Sequence, residues 1–179
     1  MILALLVAAA ATSSTTQIAP LSRDFDALSK GTVGFEFGFP LGGSTPVGTG
    51  STVGVTYFLD NNLAARVDFG LDAVLAPSGQ PAFFVIGLSL RSYQLRRGPV
   101  AVFLWPAFVF GREALAGIAA EYLTFAGGAG AEYFFADHFS VGGQLGVGLK
   151  FGNIGGPTGS SVITQLTTAT SGLFASVYF

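Results

Sequence analysis

The chain of 179 residues contains no cysteine and a single histidine, His138. Without thiols it can form no disulfide framework and perform no thiolate chemistry, and one imidazole leaves a transition-metal site short of the ligands it prefers. Charged residues are scarce too, at 10% of the chain against about 25% in an ordinary soluble domain. The net charge of -2 offers no basic patch for nucleic acid. We therefore expect no cofactor, no metal and no nucleic-acid partner.

Long hydrophobic runs are missing as well. Hydrophobic residues make up 50% of the chain, yet beyond the N-terminus no run reaches the ~18 residues that suggest a membrane-spanning helix. The longest run, Pro99–Gly111, is short and contains Pro99 and Pro106. If a bilayer is the solvent and spanning helices are absent, a closed β-barrel is the only other structure that satisfies every backbone polar group.

Apolar residues stand at every second position in the stretch YFLDNNLAARVDFGLD, Tyr57–Asp72, with Arg66 and Asp68 in the gaps. A period of two is typical of a β-strand whose two faces meet different surroundings. A near copy, YFFADHFSVGGQLGVGL, begins at Tyr133. Each stretch predicts a hairpin with a tight turn, the first at 60–62 and the second at 136–138.

The same pattern along the chain predicts an all-β fold, a closed eight-stranded antiparallel up-and-down transmembrane β-barrel over residues 31–179. Short turns alternate with longer Gly- and Pro-rich loops, as at the two rims of such a barrel. The segment GREALAGIAAE, residues 111–121, is compatible with a loop or with a short helix extending to Leu123. The segment GNIGGPTGSS, residues 152–161, is interpreted as a loop. In the fifth strand, roughly 100–110, Pro106 suits only a bulge or irregularity.

The polarity of the two strand faces indicates which one meets lipid. The bulky apolar face carries no charge, and the charges share the opposite face with glycine and serine, so that face should line a narrow lumen. Six side chains form this predicted lumen charge network: Glu36, Arg66, Asp68, Arg91, Glu132 and Lys150. Three are acids and three are bases, so their charge sums to zero. This zero net charge favours a hydrogen-bonded plug over a pore selective for cations or for anions. A conducting or ligand-accepting lumen and a merely hydrated lumen are the alternatives.

The depth of each charged residue in the barrel follows from the number of residues between it and the nearest short turn. Arg66, Asp68, Arg91 and Glu132 should lie near mid-depth, with Lys150 higher. Aromatic residues cluster near the short-turn rim and predict an interfacial girdle. Its members are Tyr57, Tyr133, Phe135, Phe139 and Phe179. Tyr93 and Phe174 break the alternation and require either a bulge or an inward-pointing ring.

The N-terminal stretch MILALLVAAAATSS predicts a signal peptide over residues 1–11 and therefore export. Ala9 and Ala11 have the A-x-A spacing of a cleavage site, but no lysine or arginine precedes Arg23. The n-region is thus incomplete, which leaves open a start upstream of Met1. A buried first strand or helix is the alternative interpretation. Residues 12–30 are expected to form a periplasmic N-terminal segment.

On the two hairpin stretches and the terminal LFASVYF, the chain resembles the small eight-stranded outer-membrane proteins of Gram-negative bacteria, the class that includes OmpX, OmpW and the OmpA membrane domain. The resemblance covers nearly everything from about Lys30 to Phe179. It implies a place in the bacterial outer membrane, with outer-membrane lipid and lipopolysaccharide as neighbours. It also implies insertion by the barrel-assembly machinery, which in this class reads a C-terminal Phe after alternating apolar residues. The residues that would carry this assembly signal are Leu173, Ala175, Val177 and Phe179.

Three functional hypotheses follow. The first is a non-enzymatic, monomeric barrel with a charge-plugged lumen and a structural or surface-interaction role in the envelope. The second, implied by the resemblance to OmpW, is a porin-like channel for small or hydrophobic molecules, lined in part by Phe103 and Trp105. The third is a lipid-modifying enzyme, which needs an acid/base and a nucleophile near the outer leaflet. His138, the one histidine, falls in a predicted turn at the opposite rim, so we expect no enzymatic activity.

Overall fold

The computed structural model describes residues 26–40, 51–73, 82–115, 118–156 and 159–179, which form a closed barrel of eight antiparallel strands. The strands are β1 (Val33–Pro40), β2 (Thr52–Asp60), β3 (Leu63–Ala73), β4 (Ala82–Arg97), β5 (Val100–Leu115), β6 (Ile118–Ala136), β7 (Phe139–Gly156) and β8 (Gly159–Tyr178). Each strand pairs with the next, and β1 closes the ring on β8. The predicted all-β up-and-down barrel is confirmed. The predicted signal peptide and residues 12–25 lie outside the described residues.

Side-chain alternation divides every strand between the two faces of the wall. In β2, the exposed Val55 and Tyr57 alternate with the buried Thr56 and Phe58. Because successive side chains point to opposite faces of a strand, a shift by one residue would exchange the two sets. The register is therefore fixed by the contrast between an apolar exterior and a polar, aromatic interior.

Three register shifts lie beside the short turns, between Phe58 and Asp60, Tyr93 and Leu95, and Phe134 and Ala136. Such bulges bend a strand and increase its twist where it turns back. The rings of Tyr93 and Phe174 both point inward and are buried. An inward ring therefore accounts for both residues, and at Tyr93 a bulge follows it.

Pro106 lies within β5 with its side chain outward, opposite Gly127 of β6. Pairing between β4 and β5 runs to Ser89–Ala107 and resumes at Ser92–Leu104 in the same register. Proline has no N–H to give to a neighbouring strand. The irregularity predicted at this position is thus a short interruption of one ladder.

The segments 111–121 and 152–161 are strand wherever the structure describes them, so the predicted loop or helix at the first and the predicted loop at the second are both wrong. β5 continues to Leu115 and pairs with β6 from Ile118 onward. β7 continues to Gly156 and pairs with β8 from Gly159 onward. Continuous backbone pairing overrides the turn propensity of the glycines, since strand preference depends strongly on neighbouring strands.

The strands are unequal in length. β1, β2 and β3 have 8, 9 and 11 residues, whereas β6, β7 and β8 have 19, 18 and 20. One side of the barrel wall therefore extends well beyond the other at the rim away from the short turns. The other rim holds the start of β1, the end of β8 and a short 3₁₀ helix, Asp26–Leu28.

Candidate functional site: the barrel lumen

Four charged side chains meet inside the barrel and form what we call the central cluster: Glu36, Arg66, Asp68 and Arg91. Arg66 forms ion pairs with both Glu36 and Asp68. Arg91 binds Glu36 through both terminal nitrogens, with Nη1 at 2.6 Å from Oε2 and Nη2 donating to Oε1 at 2.9 Å. All four side chains are at most 5% exposed. Two cations and two anions compensate one another, as burial of ions requires.

A glycine makes room for these side chains. Gly54 of β2 lies between Glu36 and Asp68 in the register of β1, β2 and β3. A Cβ at this position would lie 2.6 Å from Oδ1 of Asp68 and 2.9 Å from Nε of Arg66. Any larger residue would therefore displace the ion pairs. The glycine on the inner face of β2 is a requirement of the cluster rather than of a turn.

The guanidinium of Arg91 is also held between two aromatic rings. Its Cζ lies 4.6 Å from the ring centre of Phe103 and 4.4 Å from that of Phe174. Cation–π attraction adds to the ion pairs, and it is stronger when the partners are shielded from water. Arg91 thus contacts β1, β5 and β8 and connects the charges to the aromatic packing of the lumen.

Glu132 is bound by hydroxyl groups. Tyr93 donates to its Oε2 at 2.9 Å, and Ser140 and Tyr178 both donate to its Oε1. The carboxylate is 1% exposed. Among the described residues no cation forms an ion pair with Glu132, and a buried carboxylate in this position needs hydrogen bonds from several directions.

Below Glu132, aromatic rings close the short-turn end of the lumen, and we call this layer the aromatic floor. Phe58 stacks on Tyr93 with ring centres 5.6 Å apart, and Phe134 stacks on Tyr178 at 5.8 Å. Ala27 and Leu28 of the 3₁₀ helix belong to the same buried cluster. Arg96 donates to the carbonyl of Leu28 at 3.2 Å, which ties the helix to the barrel.

A second group of polar residues, the mouth cluster, lies at the opposite end of the lumen and consists of Glu113, Tyr122 and Lys150. Tyr122 donates its hydroxyl to Glu113 at 2.9 Å. The Lys150 ammonium lies 3.7 Å from the ring centre of Tyr122 and 4.0 Å from a Glu113 oxygen. The side chains of Glu113 and Lys150 are 40% and 17% exposed.

The six sequence-predicted charges therefore fall into three groups. Glu36, Arg66, Asp68 and Arg91 meet directly, Glu132 is held by hydroxyls, and Lys150 belongs to the mouth cluster. Sequence reasoning missed Glu113, because its segment was interpreted as a loop or helix. It also missed the aromatic floor, although adjacent aromatic pairs such as Tyr57–Phe58 must place one ring on each face of a strand.

Phe103 and Trp105, the two residues of the channel hypothesis, do face the lumen, where they are 0% and 3% exposed. Both rings occupy space that glycines leave open. A Cβ on Gly130 of β6 would lie 2.6 Å from Cε2 of Phe103, and a Cβ on Gly146 of β7 would lie 2.6 Å from Cζ2 of Trp105. In the same way, a Cβ on Gly142 would lie 2.6 Å from Cε2 of Phe174. Aromatic rings from β5 and β8 thus pack over glycines of β6 and β7 and fill the barrel interior.

The exterior is apolar around the wall, and the residues of the predicted girdle lie on it. Tyr57, Tyr133, Phe135, Phe139 and Phe179 are 47%, 44%, 63%, 40% and 73% exposed. Several of these rings touch, with centres 4.9 Å apart for Tyr133–Phe135 and 5.9 Å for Phe135–Phe139. On the outer face of the longer strands, Arg112 pairs with Glu121 at 3.6 Å, and both side chains are more than half exposed.

The residues of the predicted assembly signal share this outer face on β8. Ala175 and Val177 lie opposite Phe37 and Phe35 of β1, while Leu173 and Phe179 are 48% and 73% exposed. They form an apolar stripe at the seam where the barrel closes.

His138 is exposed in the turn between β6 and β7, where its backbone carbonyl accepts a hydrogen bond from the Tyr178 N–H at 2.9 Å. Over the described ranges, no group of three or more His, Cys, Asp or Glu side chains is placed to hold a metal ion. In those same ranges there is no helix long and apolar enough to cross a membrane.

Comparisons with known proteins identify the fold. No protein-family model matches the chain, and no curated protein matches it by sequence. Among solved structures, the N-terminal β-barrel domain of Pseudomonas aeruginosa OprF is similar, with a TM-score of 0.53 and 12% identity over 84% of this chain and 98% of that domain. The outer-membrane protein AlkL, solved in lipid bilayers, gives a TM-score of 0.49 and 16% identity over 84% and 91%. A major outer-membrane protein of Thermus thermophilus gives 0.41 and 17% over 82% and 99%. The likeness to the OprF domain supports a shared barrel architecture.

Proposed function

We propose that this chain is an integral outer-membrane β-barrel with a closed lumen, without enzymatic activity, that acts as a structural or surface-interacting component of the bacterial envelope. The observation that carries the proposal is the inverted polarity of the wall. Large apolar side chains are exposed outside, and the most thoroughly buried side chains include Arg91, Glu36 and Glu132. A water-soluble barrel has the opposite arrangement, with its polar face outward.

The height of the apolar exterior matches a membrane. On β6, outward residues are apolar or small from Leu123 to Tyr133, and the charged Glu121 follows at the upper end. The ten steps from Leu123 to Tyr133, at about 3.3 Å each and inclined by about 40° to the barrel axis, rise about 25 Å. This is about the height of the apolar band on outer-membrane barrels. Exposed tyrosine and phenylalanine rings at the lower edge fit the interfacial girdle.

The closed lumen follows from successive layers of packing. The side chains of the aromatic floor, of the hydroxyl-bound Glu132 and of the central cluster are nearly inaccessible to water. An ion moving along the axis would have to displace paired charges whose separation in a low-dielectric interior is unfavourable. These contacts support a plug rather than a pore.

Orientation and partners extend the proposal. The short turns, the start of β1 and the end of β8 lie at one rim. We assign this rim to the periplasmic side, as in outer-membrane barrels with short periplasmic turns. Lipid and lipopolysaccharide would contact the apolar exterior of a monomer. The stripe Leu173, Ala175, Val177 and Phe179 would be the element that the barrel-assembly machinery reads during insertion.

Conductance in planar bilayers tests the closed lumen. We expect no sustained single-channel currents from the purified, refolded protein, because the plug blocks the axis. A variant that disrupts the plug, Glu36→Gln with Arg91→Gln, should conduct more often than the parent protein. Robust channels in the parent would instead favour the porin-like alternative.

Two further measurements test the location. The protein should fractionate with the outer membrane, and on a gel its unboiled form should migrate differently from its boiled form. Recovery in the soluble fraction without detergent would contradict the membrane assignment, whatever the conductance result.

The porin-like alternative has one observation in its favour, since Phe103 and Trp105 do face the lumen. Phe103, however, packs between Tyr93 and Phe174, with ring centres 5.6 Å and 6.0 Å away. Passage of a hydrophobic molecule would require these rings to move apart. Uptake of a small apolar dye into vesicles containing the protein would support this alternative.

A further inference from the structure

The indole N–H of Trp105 is a buried donor without an acceptor among the described residues. The side chain is 3% exposed, so bulk water does not reach it freely. A buried donor left unsatisfied costs about 1–3 kcal/mol, and native proteins seldom leave one unpaired. This indole therefore calls for a partner other than the protein atoms that the structure describes.

A small cavity lies beside Trp105, above the central cluster. Its lining includes the polar side chains Arg66, Asp68, Ser89, Arg91 and Gln144 and the apolar Ala107 and Val109. The space open to the centre of a water molecule is about 10 Å³, which is close to what one water requires. The cavity is thus lined by polar groups on several sides and has room for about one water molecule.

We propose that this cavity binds one water molecule, which accepts the hydrogen bond of the Trp105 indole and donates to the Asp68 carboxylate or the Gln144 carboxamide. A buried water usually makes about three hydrogen bonds, and the lining offers both donors and acceptors. The water satisfies the indole and connects β5 to the central cluster on β3. Cations fit the site less well, because the Arg66 guanidinium is part of the lining.

The single tryptophan of the chain allows a direct test, since its indole gives one identifiable signal. The experiment uses the full chain, labelled with ¹⁵N and refolded in detergent micelles. We expect a cross-peak between the Trp105 indole proton and water, with the sign of a direct dipolar contact rather than of chemical exchange. Absence of that cross-peak in the parent protein would overturn the proposal.

Two variants locate the water. Ser89→Ala removes the hydroxyl in the cavity lining that could relay magnetisation from bulk water, so the cross-peak should persist, and its loss would overturn the proposal. Ala107→Val fills the cavity and should abolish the cross-peak while the unboiled gel band remains. Persistence of the cross-peak in the folded Ala107→Val protein would contradict the assigned position. If Ala107→Val does not fold, the parent and Ser89→Ala still decide the outcome.

Discussion

The central cluster and the mouth cluster use similar side chains in different surroundings. Glu36, Arg66, Asp68 and Arg91 are almost completely buried and share several ion pairs. At the mouth, Lys150 and Glu113 are 4.0 Å apart and partly exposed. Exposed ion pairs contribute about 0–1 kcal/mol, whereas breaking a buried pair leaves an uncompensated charge and costs about 3–5 kcal/mol. The position of a charge along the lumen, rather than its identity, decides its effect on stability.

The largest effect is expected from Arg91→Met. This change keeps most of the side-chain volume but leaves Glu36 with one cation instead of two and removes both cation–π contacts. We expect the free energy of unfolding to fall by about 3–5 kcal/mol. Equilibrium urea unfolding in detergent micelles, followed by tryptophan fluorescence, measures it. The double variant Glu36→Gln/Arg91→Met should lose less than the sum of the two single variants, and simple additivity would contradict the proposed coupling.

A charge introduced on the outer face tests whether the position of a charge also decides its effect on stability outside the lumen. Leu88 is 55% exposed on the apolar exterior of β4, opposite Val67 and Phe108. In vesicles, Leu88→Arg should destabilise the barrel by about 2–4 kcal/mol, the cost of a cation near the bilayer midplane. The matched control is Ile118→Arg at the upper tip of β6, where we expect a change within about 0.5 kcal/mol. Equal effects at the two positions would be inconsistent with a membrane belt around the lower barrel.

Two adjacent glycines on β7, Gly142 and Gly143, allow packing inside the barrel to be compared with packing outside it. A Cβ on Gly142 would lie 2.6 Å from both Cε2 of Phe174 and the Ala131 carbonyl oxygen, whereas the nearest atom to a Cβ on Gly143 is 3.5 Å away. Gly142→Ala should therefore cost about 1–3 kcal/mol through overpacking. Gly143→Ala should be nearly neutral. Thermal unfolding of the two variants in one detergent makes the comparison, and similar melting temperatures would argue against a filled lumen.

The smallest effect is expected at the mouth cluster. Lys150→Met removes a partly exposed ion pair and one cation–π contact, so the loss in unfolding free energy should stay below about 1 kcal/mol. The same urea titration applies as for Arg91→Met. A loss as large as that of Arg91→Met would remove the distinction between the two clusters.

Period-two alternation was sufficient to predict a closed barrel of eight strands, although it did not place Arg112, Glu113 or Glu121. Arg66 and Asp68 are buried inside the barrel, and a shift of one residue would turn both side chains to the apolar exterior. Alternation could not predict which charges pair. Arg91 meets Glu36 only because β4 and β1 face each other across the lumen, and that distance depends on the tilt and stagger of all eight strands.

The upper ends of the strands were also beyond sequence reasoning. Gly152, Gly155 and Gly156 indicated a loop, yet they pair with Ile163, Ser160 and Gly159. Local propensity for a turn was outweighed by hydrogen bonds to neighbouring strands. Tyr93 and Phe174 were identified as exceptions to the alternation, with a bulge or an inward ring left open. The inward rings of Phe58, Phe134 and Tyr178 were not predicted.

The seam between β1 and β8 constrains how the molecule is made. Gly34 meets Tyr178 and Glu36 meets Ser176, so the ring cannot shut until its final strand has arrived. Contacts between residues this distant along the chain carry a large entropic cost, and proteins dominated by them fold slowly. Until then, an open sheet has two unpaired edges, one on β1 and one on the strand added last. A chaperone that shields those edges from other chains would be most needed before β8 pairs with β1.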